Sequence, residues 1–268
     1  MSAGSPRPTV HLVHHLARAG GTLISRCLGS MQNVVLLSEI HPLGTQVAPE
    51  FDPLFQASHW FKLLSGTEVQ ALRTRTATLA EIIALLAQKA ASQDRQLVVR
   101  GWNHLDFMPR PLDFIGKSPQ GAASGRLLLS EALSASCSIR QLATVRHPAS
   151  QWLSWRRFEP TSDLTLEEFM AGCCRFATIA AQLGFVRYED FTAQPVKVMQ
   201  RMCEVLGIRF DPSFMQHWPY YRSVTGDLDN LKSHQIRHQG NLSLPRDLAD
   251  ALRSNSDYQE TLRLLGYQ

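Results

Sequence analysis

The feature that most restricts this chain is a strand that breaks at glycines and restarts as a helix close to the N-terminus. Thr9 to His15 alternates apolar with imidazole side chains, stops at Ala17-Arg18-Ala19-Gly20-Gly21-Thr22, and resumes with Leu23, Ile24, Cys27, Leu28 and Met31 at helical spacing. The same alternation continues downstream. Val34–Leu37, Gln96–Arg100, Gln141–Val145 and Phe185–Tyr188 read as buried strands, the first of them leading into the polar Ser38-Glu39-Ile40-His41-Pro42. Between them lie helical stripes: Val69, Leu72, Leu79, Ile82, Ile83 and Leu86 within Thr67–Ala91; a helix opened by Pro148 and running through Arg157; and one that starts at the capping box Thr165-Leu166-Glu167-Glu168 and ends at Gly184. Pro195–Leu206, closed by Gly207, and Pro245–Leu265, broken near Ser254–Ser256, complete the set. The stretch before Gly66 is expected to be irregular, and Pro109–Gly125, crowded with Pro, Gly and Ser, to be a functional loop or lid. Strands alternating with helices predict an α/β fold, a central parallel sheet covered by helices on both faces, with ligands bound at the carboxyl ends of the strands.

With 268 residues and 44% hydrophobic content the chain can bury one large core, so residues 1–268 are expected to form one α/β domain, with 1–8 outside its ordered part. The 27 basic and 23 acidic side chains leave +4, a mild excess that suits polyanionic small molecules and argues against nucleic acid. Five cysteines without a Cys-x-x-Cys pair encode neither a disulfide framework nor a zinc site. His11, His14 and His15 do not converge on one ion, because on a strand His14 points away from the other two. No signal core and no run of about 20 apolar residues is present, so a cytoplasmic protein without a membrane span is expected.

Arg18-Ala19-Gly20-Gly21-Thr22 has the makings of an anion site. Its glycines let backbone N–H groups converge on a phosphate at a helix N-terminus, with Arg18 and Thr22 completing the cradle. The Gly-Lys-Ser/Thr ending of a nucleoside-triphosphate loop is missing. A second cation, Arg146, leaves another strand end, and Ser154 lies eight residues on. Two phosphate-sized sites at two strand ends suggest a nucleotide phosphorylated at both its 5′ and 3′ positions.

In these two places, and in Tyr188-Glu189-Asp190-Phe191 followed by a helix ending Val205-Leu206-Gly207-Ile208, the chain resembles the sulfotransferases that use 3′-phosphoadenosine 5′-phosphosulfate (PAPS). Their 5′-phosphosulfate loop reads Lys/Arg-Ser-Gly-Thr-Thr, and their 3′-phosphate site pairs an Arg with a Ser eight residues later. The loop here departs at Ala19 and Gly21, which removes a hydroxyl donor, and carries Arg18 for the common lysine, an exchange that keeps bidentate phosphate binding. The family's C-terminal Arg-Lys-Gly nucleotide loop has a counterpart only in Arg237-His238-Gln239-Gly240.

The resemblance implies in-line sulfuryl transfer to a hydroxyl or amine of a carbohydrate, lipid or small metabolite, leaving adenosine 3′,5′-bisphosphate and needing no metal. It implies Arg18 at the leaving phosphate and His104, just after the Gln96–Arg100 strand, as base; Glu39 is the rival and His41 stands behind both. Two other readings stay open, a nucleotide-binding pseudoenzyme and, further off, an ATP-dependent kinase. Glu189 and Asp190 are expected to cap or salt-bridge, and Trp102, Trp152 and Trp155 to belong to the core, with one of them possible beside a nucleotide. Acceptor and oligomeric state leave no signal in the sequence.

Overall fold

The glycine break at residues 20 and 21 turns β1 (Thr9–His14) into α1 (Gly21–Gly29), and the chain then alternates as its pattern predicts. In order follow β2 (Val34–Ile40), α2 (Pro53–His59), α3 (Gly66–Thr74), α4 (Leu79–Ala91), β3 (Gln96–Gly101), α5 (His104–Phe107), α6 (Leu128–Leu133), β4 (Ser138–Val145), α7 (Pro148–Phe158) and α8 (Leu166–Leu183). Then come β5 (Phe185–Arg187), α9 (Tyr188–Ala193), α10 (Pro195–Leu206), α11 (Phe214–His217), α12 (Arg246–Ser254) and α13 (Ser256–Leu265). This computed structural model describes residues 6–112, 116, 120–226, 235–238 and 243–267, the side chain of Gln46 excepted.

The five strands form one parallel sheet in the order β2-β3-β1-β4-β5, an α/β fold as expected. Register is set by side chains that alternate between two dry faces. On one face Val10 and Leu12 pack with Val35, Leu37, Leu97 and Val99 beneath α2, α3, α4 and α6, and Ala143 and Val145 pack beneath α7, α8, α12 and α13. On the other, Val13, Val34, Leu36, Val98 and Leu142 meet α1, α10 and α11. A one-residue slip would exchange the faces of a whole strand, so burial on both sides fixes the pairing.

Three local expectations need correcting. The stretch before Gly66 holds α2, started by Asp52, whose carboxylate accepts from the Leu54 N–H at 2.8 Å, with Pro53 at the first position. The stripe from Thr67 to Ala91 is two helices, because Thr76 adopts φ +53° and Thr78 opens α4 with its own capping box to Glu81. Leu72 of α3 and Ile82, Ile83 and Leu86 of α4 still share one cluster, which is why the periodicity reads through the break. Tyr188 is the first residue of α9 rather than the last of a strand.

Candidate active site

The carboxyl end of the sheet opens into a cavity of about 710 Å³, within the range of pockets that enclose small organic ligands. Its position follows from topology. The connection leaving β1 packs α1 on one face, while that leaving β4 packs α7 and α8 on the other, so the crevice between these neighbouring strands is a switch point.

Over β1 and β4 the walls are cationic. Gly20 holds φ +82°, and a Cβ there would overlap the Tyr188 ring, so only glycine fits the turn that brings Gly21 and Thr22, at the start of α1, to the cavity wall. Arg18, at φ +65°, donates from Nε to Ser154 Oγ at 3.0 Å and lies 4.6 Å above the Phe158 ring. Arg146 donates from Nη1 to the Arg18 carbonyl at 3.1 Å and lies 5.0 Å above the Tyr188 ring. Arg18, Gly20, Gly21, Thr22, Arg146, Ser154, Arg157 and Tyr188 thus line one wall. Glu189 accepts from the His147 N–H at 3.0 Å and from the Tyr267 hydroxyl at 2.8 Å, which ties the loop after β4 to the C-terminal segment.

Over β2 and β3 the chemistry differs. A register shift between Leu37 and Ile40 puts Glu39 at φ +55° and turns its carboxylate toward the cavity; a bulge re-aims a side chain in this way, at a backbone cost of about 1–3 kcal/mol. The Glu39 carboxylate accepts from Arg100 Nη2 at 2.8 Å. Arg100, at the end of β3 and 2% exposed, also donates to Ser38 Oγ and the Thr225 carbonyl, each at 3.2 Å, and to His15 Nε2. Burial, and next the Arg100 charge, hold His15 well below the usual imidazole range.

His104 faces the same space. It is 2% exposed, its ring centroid lies 4.7 Å from that of Trp155, and neither ring nitrogen has a hydrogen-bond partner among the described residues. Burial alone pushes its imidazole down to about 3, so the ring is neutral. An orphaned buried polar group is expensive, and such groups gather where a ligand completes them. His41 offers no such group: Nδ1 accepts from the Leu43 N–H at 3.0 Å and Nε2 bonds Asp106 at 2.9 Å, so its ring is fully engaged.

Arg18, Gly20, Gly21, Thr22, Glu39, His104, Arg146 and Ser154 therefore share the cavity. Ala19 does not: it is buried, and its N–H turns back to the Leu16 carbonyl at 3.3 Å. Arg237 is exposed and outside the cavity lining, and Gly240 lies outside the described residues. Sequence reasoning passed over Arg100, although a cation ending an apolar strand is the signal that found Arg146. It also passed over Phe51, which stacks on Trp102 at 4.2 Å between ring centroids. Of the tryptophans, Trp102 and Trp155 line the cavity, and Trp152 packs on Phe169 in the core. Pro111 and Leu112, from the expected lid, line it as well; residues 113–115 and 117–119 of that loop lie outside the described residues.

No group of His, Cys, Asp or Glu able to hold a metal ion occurs among the described residues. Among them, too, no helix is long and apolar enough to cross a membrane.

No protein-family model matches the chain, and no curated protein matches it either. Among solved structures the chain is similar to a sulfotransferase from Alicyclobacillus acidocaldarius, with TM-score 0.44 and 14% identity over 99% of this chain and 98% of that one. It is also similar to a retinol dehydratase solved with retinol and PAP, with TM-score 0.33 and 12% identity over 98% of this chain and 81% of that one.

Proposed function

We propose that this chain is a sulfotransferase that takes the sulfuryl group of PAPS to an acceptor hydroxyl. The observation that carries this reading is the junction of two anion loops from separate strand ends, Arg18 bonded through Nε to Ser154 and through its carbonyl to Arg146, in a cavity that also holds the orphaned ring nitrogens of His104. The residues fit a doubly phosphorylated nucleotide: Arg18, Thr22 and the first amides of α1 suit the 5′ end, and Arg146 with Ser154 suits the 3′ phosphate. PAPS, when bound, supplies an activated sulfuryl group whose leaving 5′-phosphate gathers negative charge.

The protein's own residues then have three tasks. Arg18 and the Gly21 and Thr22 amides stabilise the growing charge without reorganising, since the turn already holds them in place. His104, whose ring nitrogens have no partner among the described residues, accepts the proton of the acceptor hydroxyl, a role that requires the negative charge of the bound nucleotide to raise its proton affinity from about 3. Arg100 and Glu39, bonded to each other, fix the wall over β2 and β3. Glu39 is paired with Arg100 through one oxygen, whereas neither His104 ring nitrogen has a partner among the described residues, and on that ground His104 is taken as the base in this reading.

Calorimetric titration with adenosine 3′,5′-bisphosphate, ATP with magnesium, and NAD tests the donor half. Tight binding of the bisphosphate alone is expected. Preference for ATP with magnesium would turn the reading toward a kinase, and bisphosphate binding without any transfer of sulfate from PAPS would turn it toward a pseudoenzyme.

A further inference from the structure

We infer that Tyr267 is a positioning residue for the second anion loop: through Glu189 it fixes the backbone that carries Arg146, and with it the grip on the 3′ phosphate. This rests on the reading above, which gives the cationic wall to the nucleotide and leaves the wall over β2 and β3 for the acceptor. Strand register brings the parts together. β4 and β5 pair in parallel, with Thr144 opposite Val186 and Val145 opposite Arg187, so the residues that leave the two strands, Arg146-His147 and Tyr188-Glu189, emerge side by side. The Tyr188 ring packs against the Arg146 guanidinium, and Glu189 takes the next backbone N–H, that of His147, at 3.0 Å. Pro148 begins α7 directly afterwards, so the bonded amide stands at the junction between Arg146 and the helix that presents Ser154.

A carboxylate suits that junction, because the N-terminal end of a helix favours negative charge. Bonded through one oxygen alone it could still rotate, and what holds Glu189 is its second bond, from the Tyr267 hydroxyl to Oε2 at 2.8 Å. Tyr267 is itself firmly seated. Its N–H donates to the Leu262 carbonyl at 2.9 Å, closing the end of α13. The Arg187 guanidinium lies 4.9 Å above its ring and donates from Nε to the Leu265 carbonyl at 2.9 Å, and the His147 ring meets the same tyrosine edge to face, 5.1 Å between centroids. Burial, and next the Glu189 charge, raise the Tyr267 hydroxyl above its ordinary range, so it keeps its proton and remains the donor. Of Tyr267, Glu189, His147 and Arg146, only Arg146 lines the cavity, so Tyr267 reaches the ligand through the others.

The test is calorimetric titration of adenosine 3′,5′-bisphosphate into the parent protein and its variants, with adenosine 5′-monophosphate, which lacks the 3′ phosphate, measured by displacement. Tyr267→Phe keeps the ring on Arg187 and His147 and removes only the hydroxyl. It is expected to weaken the bisphosphate about three- to tenfold, the scale of coupling from outside a site, and to leave the monophosphate within about twofold. Glu189→Ala is expected to weaken the bisphosphate at least as much, and Glu189→Gln, which retains an acceptor oxygen for the His147 N–H, to recover part of that loss. Tyr267→Phe combined with Glu189→Ala should bind no more weakly than Glu189→Ala alone, since residues acting through one bond are not additive. Equal weakening of both ligands, additive losses in the pair, or unchanged bisphosphate affinity in Tyr267→Phe overturns the positioning role and leaves the donor reading intact. A parent protein that binds the bisphosphate no more tightly than the monophosphate overturns the donor reading, and this inference with it. Should Glu189→Ala fail to fold, Tyr267→Phe compared across the two ligands decides.

Discussion

The two halves of the cavity treat charge in opposite ways. Over β1 and β4, Arg18, Arg146 and Arg157 face the space, and the nearby Glu189 has both oxygens taken by the His147 amide and the Tyr267 hydroxyl. Over β2 and β3 the buried Arg100 guanidinium is answered by the Glu39 carboxylate, held on a strained backbone. One half gathers several cations around the space, and in the other the buried guanidinium is paired with a carboxylate. On the proposed reading such a site separates an anionic partner from a neutral one, because moving a charge onto the wrong wall forfeits its solvation without compensation.

The sharpest way to break this comparison is to remove a group from one half and look for the effect in the other. His104→Ala is expected to lower sulfate transfer by roughly 10²–10⁴-fold, the usual contribution of a positioned acid–base group, while bisphosphate affinity stays within about twofold. Steady-state rates and calorimetry on the same preparation check both. A matching loss of bisphosphate binding would show that His104 supports the whole cavity rather than the acceptor half. Arg146→Ala works from the other side. Losing charged hydrogen bonds to a phosphate, each about 1.5–3 kcal/mol, should weaken the bisphosphate about 10- to 100-fold and flatten the salt dependence of its binding, as calorimetry at two salt concentrations measures.

The same division explains what the sequence could tell. The cationic half was legible because it is local: a glycine turn between a strand and a helix, and an arginine before a proline that opens a helix, each need only a few consecutive residues. Even there Ala19 misled, since the αL turn at Arg18 draws its N–H back to Leu16, a consequence of backbone path that no residue type announces. Tyr188 was read as the end of a strand, yet it caps the turn at Gly20 from more than 160 positions away. The apolar half was illegible for a related reason. Phe51 sits in a segment without periodicity, as the last residue of a short 3₁₀ turn just before the Asp52 cap, and acquires meaning only by meeting Trp102 across the fold. Glu39 looked like a residue beyond a strand, because a bulge that keeps β2 going to Ile40 leaves no local signature. The resemblance is what singles out His104 after β3, whereas the orphaning of its nitrogens belongs to the packing.

That orphaned ring gives the comparison its last test, in stability rather than binding. Folding buries His104 as a neutral imidazole whose affinity for a proton falls to about 3 from an ordinary 6.5. Between those values the unfolded chain takes up a proton that the folded protein refuses, so the stabilisation is complete above pH 6.5 and is lost as the pH falls. From pH 6.5 to 4.5 one such group removes about 2 kcal/mol, because each pH unit well inside that window costs about 1.4 kcal/mol. His14 and His15, held down chiefly by burial, add to the same slope, as do the less buried His11 and His147. Glu68 and Glu81, held at about 2 by hydrogen bonds within their capping boxes and to Lys89 and Arg75, give up their contribution only below the ordinary carboxylate value of 4.5, outside this window. His104→Phe keeps a flat ring in the space and removes both orphaned nitrogens. It should therefore be at least as stable as the parent protein at pH 7.5 and visibly less sensitive to acid, with transfer abolished; denaturant unfolding at pH 7.5, 6.0 and 4.8 measures the slope. An unchanged slope would mean that solvent already reaches the ring, and the dry, neutral acceptor half would have to be abandoned.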